Sequence, residues 1–291
     1  GHRSDYDAWA YEGNVGWDYE SVLPYFKKSE DFDRGPSHFH GAGGPLRVTS
    51  EFEPHPINAA TIQAGVELGY PENDDFNAEE ILGVGYCHMN IKVGKRHSAA
   101  IAFLRPALER PNLTAIPRAT AQQLLFEGTR CVGVEYVHEG EKKKALADRE
   151  VIVCGGVMES PKLLMLSGIG EADMLSGLGI PVVQDVPGVG RNLHDHVLAL
   201  IIYEAKKPVP PPMPGTQFLH SQMFWKSDER RLGPDLQPLF FHVPFYLPGM
   251  EGPGLPDGCK ADTVAIPMNP AVESLNAAVA TAIVLIEWNR K

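Results

Sequence analysis

From Leu113 onward the apolar residues recur at every second position. A period of two belongs to strands with one buried face, so this stretch must pair with itself or with other strands. Leu113-Thr114-Ala115-Ile116 reads as one strand. Gln123-Leu124-Leu125-Phe126 is a second, closed by Glu127-Gly128. Val132, Val134 and Tyr136 alternate on a third, closed by Glu139-Gly140; Ala145 and Ala147 lie on a fourth, and Val151-Ile152-Val153 is a fifth. Two-residue turns with glycine between short strands predict a β-meander. The Lys142-Lys143-Lys144 run follows a turn and reads as a solvated hairpin tip.

The pattern then becomes strand, Gly155-Gly156, helix. Ser160 suits an N-cap and Pro161 the first helical position, with Leu163, Leu164 and Leu166 as the apolar face and Gly168 as the stop. A further helix spans Glu171 to Leu178, and Ile180 to Val183 reads as a strand. Upstream, Asp5 to Trp9 starts one helix that Asn14-Val15-Gly16 breaks, and Asp18 caps a second carrying Val22, Leu23 and Phe26. The loop Gly41-Ala42-Gly43-Gly44-Pro45 leads into the strand Leu46-Arg47-Val48, and Ile57 to Leu68 is a helix stopped by Gly69. Pro208 to Pro214 is too proline-rich for a central strand and is expected to be a stiff loop between two lobes. The domain boundary is placed near Val197.

Composition limits the partners. With 26 Lys and Arg against 37 Asp and Glu the net charge is −11, which disfavours nucleic acid and anionic membrane surfaces. Cys87, Cys131, Cys154 and Cys259 are scattered and form no CxxC pair, as expected of reduced thiols in a cytoplasmic protein. No signal-peptide pattern opens the chain, and the longest apolar run, Ala277 to Ile286, falls short of the ~20 residues that span a bilayer. The chain begins with Gly1 in a helix-like segment, so further sequence is expected upstream.

Chemistry centres on Val151 to Gly156. A strand that runs into two glycines and a helix start brings free peptide N–H groups close to a ligand, which suits the phosphates of a dinucleotide cofactor. The alternative is that the glycines serve helix–strand packing alone. A complete GxGxxG is missing: Gly168-Ile169-Gly170 and Gly188-Val189-Gly190 each lack the third glycine. Neither a Walker A sequence nor a GxSxG elbow occurs. His38-Phe39-His40 and His194-Asp195-His196 could each offer two imidazoles to a metal, but no third ligand follows from the sequence, and loop histidines bonding backbone are the preferred reading. No metal ligand is assigned.

The block Gly156-Val157-Met158-Glu159-Ser160-Pro161-Lys162-Leu163-Leu164-Met165-Leu166-Ser167-Gly168-Ile169-Gly170 resembles the second signature of the glucose–methanol–choline (GMC) flavoprotein oxidoreductases, with Val157 where the family prefers a small residue. Leu178 to Val183 and Pro187 to His196 are similar to the next family blocks. Upstream, Arg3, Asp5-Tyr6-Asp7, Trp9, Gly16-Trp17, Leu23 to Phe26, Ser98-Ala99-Ala100, Arg105-Pro106-Ala107 and Pro111 to Thr114 are similar too, so the likeness runs from Gly1 to about Gly252. The resemblance implies a mixed α/β (α+β) fold: an FAD-binding lobe over residues 1–196 that includes the meander, and a partial substrate-binding sheet domain over 197–291.

It also implies hydride transfer from the CH–OH group of a small-molecule alcohol to FAD, with oxygen or another acceptor reoxidising the flavin. Ala121, where the family usually has Val, corresponds to the strand residue whose backbone meets the adenine end of FAD. Cys154, Gly155 and Gly156 correspond to the cofactor-side turn, and Asn192 and His196 to a block near the cofactor lid. The family's GxGxxG would lie before Gly1 and its catalytic histidine beyond this chain, so a truncated chain is expected and none of the eleven histidines is assigned as catalytic. From about residue 254 the likeness ends, leaving Ala261 to Lys291 unmatched. The competing expectations are a non-catalytic fragment or interaction module, a metalloprotein, and a lyase on the same fold.

Overall fold

The computed structural model describes residues 1–202, 208–243 and 249. The unmatched tail, the Ala277 to Ile286 run and Cys259 lie outside these residues, as does part of the expected substrate lobe. The elements in order are α1 (Arg3–Tyr11), α2 (Tyr19–Ser29), β1 (Glu30–Phe32), β2 (Leu46–Val48), α3 (Pro56–Glu67), β3 (Gly83–Tyr86), β4 (Ile91–Lys92), β5 (Lys95–Arg96), a π-helical turn (Ala100–Leu104) and α4 (Arg105–Ala107). They continue with β6 (Ala119–Glu127), β7 (Arg130–His138), β8 (Glu141–Leu146), α5 (Gly156–Leu166), β9 (Ile169–Gly170), α6 (Ala172–Gly177), β10 (Gln184–Asp185), β11 (Leu219–Phe224) and β12 (Leu239–Phe241). Among the described residues no helix is long and apolar enough to cross a membrane.

The chain forms two compact units, one from residues 1–110 with those from 195 on, the other from 111–194. This differs from the single boundary expected near Val197. The reason is a sheet ordered β12-β11-β3, in which Tyr86 lies opposite Ser221 and Gly83 opposite Phe224. The first hundred residues therefore share a sheet with the C-terminal segment. The proline-rich stretch belongs to this same unit, where the Pro210 carbonyl accepts a hydrogen bond from His55 Nε2 at 3.0 Å.

In the first unit, helix starts follow side-chain chemistry. The Asp18 carboxylate accepts from the Ser21 backbone N–H at 3.0 Å and starts α2, whose last turn carries Lys27 and Lys28 where the helix dipole favours cations. His55 caps α3 ahead of Pro56, and Gly69, at φ +91°, turns the chain after it. α3 lies on the three-stranded sheet and closes a core of Ile62, Val84 and Met223, surrounded by Tyr70, Tyr86, Trp225 and Phe240. Burying each of these aliphatic side chains contributes about 1.5–3 kcal/mol. Close approach requires glycine at Gly85, where a Cβ would sit 1.7 Å from the Asn73 carbonyl oxygen.

In the second unit, β6, β7 and β8 form the expected meander, with Glu127 opposite Arg130 and His138 opposite Glu141. The turn between β7 and β8 places Glu139 at φ 55° and Gly140 at φ 81°, the left-handed pair that a tight hairpin needs. α5 packs on β6, and the buried Ser167 joins them: its Oγ accepts from the Leu124 N–H at 2.8 Å and donates to the Leu163 carbonyl at 2.5 Å. Leu175 of α6 is fully buried.

Four expectations are corrected here. Leu113 to Ile116 is not a strand; Arg118, at φ 58°, interrupts the chain, and β6 begins only at Ala119. Val151 to Val153 makes no ladder among the described residues, and Ile152 is 75% exposed; a strand exists only through a neighbour that takes up its backbone groups. Ile180 to Val183 is irregular, with the parallel pairing to β9 formed by Gln184 and Asp185. α5 starts at Gly156 rather than after Ser160, so Pro161 lies inside the helix, which forgoes the bond a proline N–H cannot make.

Candidate functional site

Ala121, Cys154, Gly155 and Gly156 all fall in the 111–194 unit. Ala121 lies on β6, opposite Tyr136, next to an irregularity in register before Gln123. β6 is an edge of its sheet, and Ala121 is exposed. Cys154, Gly155 and Gly156 are exposed at the start of α5. Gly156 has φ +80°, a conformation that favours glycine. A Cβ on Gly155 would stand 3.1 Å from the Ser160 nitrogen and 3.2 Å from Glu159 Cβ, a tight fit against the helix's own first turn.

No side chain caps α5 at Gly155. Its first-turn peptide N–H groups therefore have no side-chain acceptor at the cap, and such donors suit the oxygens of a phosphate. The first-turn carboxylate of Glu159 would oppose an anion, but Lys162 Nζ pairs with it at 3.0 Å. Peptide donors at a glycine turn and an exposed edge-strand backbone on the strand that packs against the same helix are a donor set that fits a dinucleotide.

The histidine pairs behave differently from one another. His38 is exposed, whereas His40 is 3% exposed and stacked on Phe32 at 3.9 Å. His40 Nδ1 meets the Glu30 carboxylate at 3.0 Å and its Nε2 meets Asp75 Oδ2 at 2.8 Å, so both ring nitrogens are already engaged by side chains of this unit. His194 is exposed; His196 is half-buried, and burial lowers its pKa while Asp195 opposes the shift. Asn192 is exposed at φ 55°. Among the described residues no three His, Cys, Asp or Glu side chains assemble into a metal site. Cys87 is buried, and burial pushes its thiol up to about 12; Cys154 is exposed.

The sequence reading missed a buried polar cluster in the other unit. His55, Asn58, His220 and Ser221 are fully buried and His242 is 5% exposed. His220 Nδ1 accepts from the His55 backbone N–H at 3.0 Å, which leaves the ring proton of neutral His220 on Nε2. Asn58 Nδ2 donates to Ser221 Oγ at 2.9 Å and to the Phe240 carbonyl at 2.7 Å, so Asn58 Oδ1 accepts from His242 Nδ1 at 3.0 Å. The His55 and His242 rings stack at 4.3 Å. Burial, with His220 and His55 adding to it, holds His242 down to about 4. The only sequence signal for this cluster was His55 before Pro56, the cap of α3; His220 and His242 reach it solely through the pairing of β3, β11 and β12.

Residues 1–198 match the family model for GMC oxidoreductases, and the chain belongs to this family. It is 48% identical over 209 residues to the mitochondrial choline dehydrogenase of Homo sapiens, a match covering 72% of this chain and 35% of that protein. It is 45% identical over 212 residues to the oxygen-dependent choline dehydrogenase of Chromohalobacter salexigens, covering 72% and 38%. Among solved structures, pyridoxine 4-oxidase from Mesorbium loti superposes with a TM-score of 0.78 at 33% identity, over 87% of this chain and 50% of that one. An FAD-dependent oxidoreductase from Chaetomium thermophilum superposes with a TM-score of 0.63 at 33% identity, over 67% and 36%. The chain thus spans little more than a third of the length of these curated relatives. The mixed α/β fold expected from the resemblance agrees with these neighbours.

Proposed function

We propose that this chain is part of an FAD-dependent oxidoreductase that acts on the CH–OH group of a small alcohol. The observation that carries the reading is the family match over residues 1–198, within which the signature block Gly156 to Gly170 folds as α5 and β9 around an uncapped glycine turn. FAD, when bound, supplies the acceptor for a hydride leaving the alcohol carbon. The first-turn N–H groups at Gly155 and Gly156 would hold its phosphate oxygens, the exposed β6 backbone at Ala121 would receive the adenine end, and Cys154 would border the turn. Lys162 neutralises Glu159 and so removes a charge that would repel the phosphates. The names of the relatives support choline as the first alcohol to test, with oxygen as one candidate acceptor.

The test is the visible spectrum of the purified chain after FAD is added and the excess removed. Retained flavin bands, lost in Gly156→Val, are the expected result. A colourless wild-type chain would overturn cofactor binding by these residues and leave the non-catalytic fragment as the reading. A cytoplasmic location is proposed as well, supported by the free thiols of Cys87, Cys131 and Cys154. The human relative is named as mitochondrial, and cell fractionation separates the two.

A further inference from the structure

A cleft of about 520 Å³ lies within the 1–110 segment, a size typical of small-molecule sites. Pro45, Ile101 and Phe103 supply apolar wall, and Lys92, His97 and Arg110 supply donors. Part of the wall is the π-helical turn Ala100–Leu104, a rare geometry that is frequent at functional sites. In a chain of net charge −11, three donors around one cleft are a local reversal of sign.

Among the described residues Lys92 and Arg110 enter no ion pair and no side-chain hydrogen bond. Asp31, whose carboxylate feels Lys92, is bonded to Arg47 at 3.2 Å. His97 Nδ1 accepts from the Arg47 backbone N–H at 3.1 Å. Its ring proton in the neutral form is therefore on Nε2, a donor of fixed direction. Two cations and an oriented imidazole N–H against apolar side chains match an anionic head on an apolar body.

We infer that this cleft binds a small organic acid, its carboxylate received by Lys92, Arg110 and His97 Nε2 and its apolar body laid against Ile101 and Phe103. The inference does not depend on FAD, since all these residues lie in one unit and Ala121 and the glycine turn lie in the other.

Benzoate is the probe, titrated into the 291-residue chain while the His97 ring and Ile101 methyl signals are followed by NMR. Saturable shifts at both residues are expected, with affinity falling tenfold or more in Lys92→Gln and in Arg110→Gln. Both side chains are exposed, and thermal melting checks that the variants are folded. Benzyl alcohol, of the same shape without the charge, is expected to leave the signals unmoved. Equal binding of benzyl alcohol, unchanged benzoate affinity in folded variants, or no saturable shift at His97 would each overturn the assignment. Inorganic phosphate binding as tightly as benzoate would overturn the part given to the apolar wall.

Discussion

The two compact units are built on opposite plans. In residues 111–194 the strands pair with their neighbours in sequence, as where Glu127 faces Arg130, and the buried Ser167 ties helix to sheet. In the other unit Tyr86 pairs with Ser221, and the chain must close a long loop before that contact forms. Its buried centre is partly polar, with three histidines and an asparagine whose hydrogen bonds are made across elements far apart in sequence. A local meander tolerates single losses because each hairpin carries its own pairing. A sheet closed from distant strands depends on a few positions where backbone, helix and ring must fit at once.

The strongest way to break this contrast is Gly85→Ala. The new Cβ would collide with the Asn73 carbonyl, and a backbone shift in β3 is expected to cost about 3 kcal/mol. Denaturant unfolding checks this, and an unchanged midpoint would show that the β3–β11 pairing does not hold the unit. Next is Asn58→Ala, which leaves His242 Nδ1, Ser221 Oγ and the Phe240 carbonyl without their partner and is expected to cost about 2–3 kcal/mol in the same measurement.

The histidine cluster also predicts a pH dependence confined to its own unit. His242 is held down to about 4 in the folded chain, against 6.5 for an ordinary imidazole. The unfolded chain then binds more protons in between, so the contribution of this ring is complete above 6.5, declines as pH falls, and is fully lost below about 4. Melting temperature measured across this window is expected to fall less steeply in His242→Gln, which takes up no proton. Equal slopes would remove His242 as the cause.

Smaller effects are expected in the meander unit. Ser167→Ala leaves the buried Leu124 N–H without its acceptor and is expected to cost about 1–2 kcal/mol, read by hydrogen exchange at Leu124. Gly156→Ala is expected to cost about 1 kcal/mol through its positive φ, with a larger effect on FAD retention than on folding. Should these two variants melt as far below wild type as Gly85→Ala, the two units would not differ in robustness.

The meander, the caps at Asp18 and His55 and the exposed glycine turn before α5 are properties of residues close in sequence. Hairpin turns and helix caps are decided by side chains and glycines within a few positions, so the sequence by itself determined them. It also determined family membership, because the signature from Gly156 to Gly170 is contiguous. Where a strand needs a distant neighbour, local pattern was not enough. Val151 to Val153 has every mark of a strand and forms none among the described residues, while Gly83 to Tyr86, with two glycines and no alternation, becomes the edge of a sheet because β11 takes up its backbone groups. The division into units, the buried histidine cluster and the gathering of Lys92, His97 and Arg110 around one cleft were decided only by tertiary structure. Each depends on bringing together residues whose separation in sequence carries no signal, and the free energy that joins them comes from burial and hydrogen bonds that exist only once the chain has closed.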